Sequence, residues 1–106
     1  SFYKDEMEIF QKRLEEVAQK NTAREVQAFV EHFQNQFILQ KEQHDILKDE
    51  IQTLENRIEA AYEANVTLAI NQRPSEEVEL KDRVETFTRL FKEMKDEFYQ
   101  FVARHL

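Results

Sequence analysis

Val17-Ala18-Gln19-Lys20-Asn21-Thr22-Ala23-Arg24-Glu25-Val26 is the stretch on which the fold turns. Before it, apolar residues recur at Tyr3, Met7, Phe10, Leu14 and Val17, in the alternating steps that keep one stripe of a helix apolar. After it the stripe resumes at Ala23, Val26, Val30, Phe33 and Phe37. Between Val17 and Ala23 it loses phase. Thr22 followed by Glu25 has the form of a capping box, in which a hydroxyl and a carboxylate each satisfy a free N–H at a helix start. The stretch therefore predicts one helix ending near residue 19 and another starting at residue 22. A single helix running through residue 20 is the competing reading, and it would free the first segment to pair with another chain.

Working outward, Leu47, Ile51, Leu54, Ile58, Ala61 and Leu68 continue the second stripe, with Gln40, His44 and Asn65 in its polar places. A second break follows at Asn71-Gln72-Arg73-Pro74-Ser75. Pro74 has no N–H to offer a helix interior, and Ser75 can cap a new helix whose first turn carries Glu76, Glu77 and Glu79. The third stripe is Leu80, Val84, Phe87, Phe91, Met94, Phe98 and Phe101, with His105 next in phase. The fold class expected is all-α: one domain over 1–106, with helices over 3–19, 22–70 and 75–105. The long central helix would form antiparallel, coiled-coil-like hairpins with its two neighbours. Zero Gly in 106 residues agrees, because tight hairpins and phosphate-cradling loops lean on Gly for positive φ, whereas long helices do not.

Folding the third helix back about the second break sets Phe98 against Leu47, Phe91 against Leu54 and Val84 against Ala61. Folding the first helix about residue 20 sets Phe10 against Val30, Met7 against Phe33 and Tyr3 against Phe37. In this register the outer helices cover different lengths of the central one and meet end to end. A rod two helices thick leaves apolar flanks open. Phe29, His32, Leu39 and Ile46 lie on one flank of the central helix, and Phe2 and Ile9 on the equivalent flank of the first. These six are the expected interface of a homodimer that completes a larger bundle. The alternative is a monomer in which the central helix bends and all three helices pack together. Gln40, His44 and His105 fall together as a polar layer that fixes register. A pH-sensitive contact is the sharper reading of the same three residues.

Composition removes several function classes. The net charge is −7. Each helical segment is net acidic, so the dense cationic surface that nucleic acid or an anionic membrane requires is missing. No apolar run approaches the ~18 residues of a membrane span. Zero Cys removes disulfides, thiolate chemistry and Cys-based zinc sites. Ser1-Phe2-Tyr3-Lys4-Asp5-Glu6 lacks the form of a signal peptide, and the expected compartment is the cytoplasm. Asn65-Val66-Thr67 matches the glycosylation triplet, a pattern common by chance.

Catalysis and cofactors find no candidate. A di-metal site in a helical bundle needs Glu-x-x-His spacing, and none of His32, His44 and His105 has Asp or Glu three or four residues away. Ser75 is accounted for as a cap, and acidic neighbours such as Glu15-Glu16 diverge by ~100° around a helix. The expectation is a non-enzymatic, cofactor-free helical module for protein–protein interaction, acting as a scaffold or adaptor. In composition alone the chain resembles small acidic secretion-type chaperones, which implies a protein client. Nine Phe raise another alternative, an apolar small molecule held near Phe33, Phe37 and Phe98.

Overall fold

The computed structural model describes residues 2–64 and 74–106. These form three helices, α1 (Phe2–Lys20), α2 (Arg24–Ala64) and α3 (Pro74–His105). No strand occurs among the described residues, and the class is all-α. Leu68, the Asn65-Val66-Thr67 triplet, the expected end of the second helix at residue 70 and the break at 71–73 lie outside the described residues. Pro74 opens α3, where its missing N–H is one of the donors no helix start can satisfy internally. Glu76 and Glu77 in the first turn and Arg104 and His105 in the last complement the helix dipole.

The chain does turn between α1 and α2, at Asn21, Thr22 and Ala23. Gln27 N donates to Ala23 O at 3.0 Å, which makes Ala23 the N-cap of α2. The capping box therefore sits one place early, with Thr22 ahead of the cap. No described residue has positive φ, so α1 does not end on a left-handed residue. Side-chain amides satisfy the corner instead. Asn21 Nδ2 donates to Val17 O at 3.0 Å, and Gln27 Nε2 donates to Ala18 O at 3.2 Å and Asn21 O at 2.6 Å.

The described chain divides into two compact units. The first comprises Ser1–Lys41 and Phe91–Leu106, and so takes in α1, the start of α2 and the end of α3. It is three helices thick. Phe10, Leu14 and Val17 of α1 are buried with Phe33 and Phe37 of α2 and Met94, Phe98 and Phe101 of α3. Phe98 is wholly covered, its ring 5.4 Å from Phe10, 5.3 Å from Phe33 and 5.1 Å from Phe37. Burying each such ring contributes on the order of 1.5–3 kcal/mol.

This corrects the expected register. Phe98 meets Phe33 and Phe37 rather than Leu47, a slide of roughly three to four helical turns. Phe10 meets Phe37 rather than Val30, and Tyr3 meets Phe91 rather than Phe37. In place of an end-to-end meeting, α1 and α3 lie side by side in this unit. The reason is physical. A heptad stripe fits a partner stripe almost equally well after sliding by whole turns, so pairwise matching cannot choose. Three-way packing can, because it covers Phe10 and Phe98 on every side, which a two-helix seam cannot.

The second unit comprises Glu42–Leu90. Its described helical parts are α2 to Ala64 and α3 from Pro74, an antiparallel pair. Ion pairs line one flank. Arg83 makes a two-pronged contact with the Glu50 carboxylate, its Nη2 donating to Oε1 at 3.1 Å, and Arg57 Nη2 donates to Glu76 Oε2 at 2.9 Å. Leu47 is buried, but Ile51, Leu54, Ile58, Leu80, Val84 and Phe87 are only half-buried.

Candidate functional site

The six residues expected at an interface are apolar or aromatic groups standing in solvent. Phe2 is 79% exposed, Ile9 54%, Phe29 55% and Leu39 58%. His32 and, in the second unit, Ile46 are also exposed. The five in the first unit do not form one flank. Glu6 on α1 accepts from Lys95 on α3 at 3.1 Å, and Phe2 and Ile9 stand four and three residues either side of Glu6. Helical spacing thus places them along the α1–α3 groove. Phe29 lies against Phe101, 5.8 Å between rings, so Phe29, His32 and Leu39 border the α2–α3 groove. The third helix stands between the two strips, because it packs where a two-helix rod would have left room.

Of the three residues expected as a polar layer, the first unit holds His105 and Gln40. His105 lies at the corner end of the first unit, its ring 4.8 Å from Phe101 and its carbonyl accepting from Asn21 Nδ2 at 3.1 Å. Gln40 lies further along α2, two turns past Phe33, with its Oε1 buried and without a hydrogen bond. His44 belongs to the second unit, where its ring sits 6.2 Å from Phe87 and Nδ1 3.3 Å from Asp45 Oδ1. Within the first unit, His105 and Gln40 are therefore not at one level.

Two further polar groupings emerge from the packing. In the first unit, Lys95 is held by Glu6 and lies over the Tyr99 ring, 5.8 Å from its centroid. The hydrogen bond to Glu6 raises the Lys95 pKa above its ordinary 10.5, against the opposing effect of burial. In the second unit, an open cleft of about 320 Å³ runs between α2 and α3 beside Asp49, Thr53 and Glu79. Its two arginines, Arg57 and Arg83, are already engaged by Glu76 and Glu50. Hydrogen bonding to Glu50 raises the Arg83 pKa further. The cleft therefore has no uncommitted cation for an anionic ligand.

Among the described residues no group of three or more His, Asp or Glu side chains could hold a metal ion. The His32 ring meets its neighbour Phe33 edge-on, 5.3 Å between centroids. Where an apolar cavity would have to open, the Phe10, Phe33, Phe37 and Phe98 rings pack against one another in tilted and edge-to-face contacts. No described helix is long and apolar enough to cross a membrane.

Sequence reasoning found the exposed apolar residues from helical spacing alone. It missed Asn21 and Gln27. An Asn just past a helix end is a recognisable capping signal, whereas Gln27 reads as an ordinary surface residue until the corner is folded. No family model matches the chain, and no curated protein or solved structure matches it either.

Proposed function

We propose that the chain is a non-enzymatic helical module for protein–protein interaction, a scaffold or adaptor acting in the cytoplasm. One observation carries this reading. The first unit has filled its interior with aromatic rings, yet keeps Phe29 and Leu39 more than half exposed along one groove and Phe2 and Ile9 along another. A soluble surface holding large apolar side chains in strips is the usual mark of a contact region. The net charge of −7 favours a protein partner over nucleic acid.

Photo-crosslinking in the protein's own cells tests this. A benzophenone amino acid replaces Phe29, with a control at Glu8 on an exposed polar position of α1. A discrete protein adduct at position 29 and none at position 8 supports the module. An adduct of the chain with itself is the homodimer form, and one foreign adduct is the chaperone form. Equal, diffuse labelling at both positions would sink the reading.

A further inference from the structure

We draw no further inference here: the strongest candidate, the half-buried apolar face of the α2–α3 pair at Ile51, Leu54 and Val84 in the second unit, carries nothing because nothing in the structure shows what covers it.

Discussion

Asn21 Nδ2 donates both of its protons at once, to the Val17 carbonyl at 3.0 Å and to the His105 carbonyl at 3.1 Å. One amide thereby gives the Val17 carbonyl a second donor, beside Asn21 N at 3.0 Å, and serves the His105 carbonyl in the last turn of α3, where carbonyls lack partners within the helix. Asn21→Ala leaves the His105 carbonyl without that donor, while Val17 O keeps the backbone N–H of residue 21, and should cost about 1 kcal/mol in urea unfolding. Asn21→Asp should cost more, because it sets a negative charge against the negative ends of two helices.

Gln40 shows the reverse situation. Its Oε1 is buried and accepts nothing, a desolvation penalty of about 1–3 kcal/mol with no compensating bond. Gln40→Leu should therefore raise the urea midpoint. A fall in the midpoint would show that the amide is satisfied in solution after all.

The two units should answer core truncation differently. Phe98 is wholly buried among Phe10, Phe33 and Phe37, so Phe98→Ala should cost about 3–5 kcal/mol. Phe87 is half-buried in a two-helix seam. Phe87→Ala should cost less than half as much at concentrations where the chain is monomeric, since the site can collapse or admit water. Paired thermal and chemical unfolding of the two variants makes the comparison.

Lys95 carries a pH dependence of known sign. Its folded pKa is raised above 10.5, chiefly by the hydrogen bond to Glu6. A cation whose pKa is raised on folding binds its proton more tightly in the native state, so its contribution is complete below the unfolded value. It is lost only as the pH climbs through the higher folded value. Lys95→Met should therefore lower stability at neutral pH, and the gap between variant and wild type should shrink in strongly alkaline solution. The pair is partly exposed, so the effect is that of a surface ion pair, under about 1 kcal/mol, and falls with salt.

The helices were legible because period alone marks them: the stripe from Tyr3 to Val17 anticipates α1, and Leu80 to Phe101 anticipates α3. The register was not, since the stripe of α2 offers Phe37 and Leu47 to Phe98 with similar apolar character. What separates them is the presence of α1 on the same level, a three-body fact that no pairwise reading contains. The same omission joined Phe2 and Ile9 to the Phe29 strip and gathered Gln40 with His105. Individual exposed residues were readable, because exposure follows from the face of a single helix. Their grouping depends on which helix lies between them.

The placement of the corner also sets an order of events. Glu50 and Arg83 lie 33 residues apart in the chain, whereas Asn21 and His105 lie 84 apart and Glu6 and Lys95 lie 89 apart. Loop-closure entropy rises with that separation, so the nearer contacts between α2 and α3 can form before both chain ends are brought together. Those α2–α3 contacts have the thinnest apolar cover; α1 and α2 can also meet early, Gln11 and Gln34 being 23 residues apart, but the aromatic cluster is complete only when Phe98 arrives. In native-state hydrogen exchange the amides near Leu54 and Val84 should open most readily and those near Phe33 and Phe98 last. The α2–α3 pair of the second unit can thus assemble before the two chain ends meet, yet it is held less firmly than the cluster around Phe98 once folding is complete.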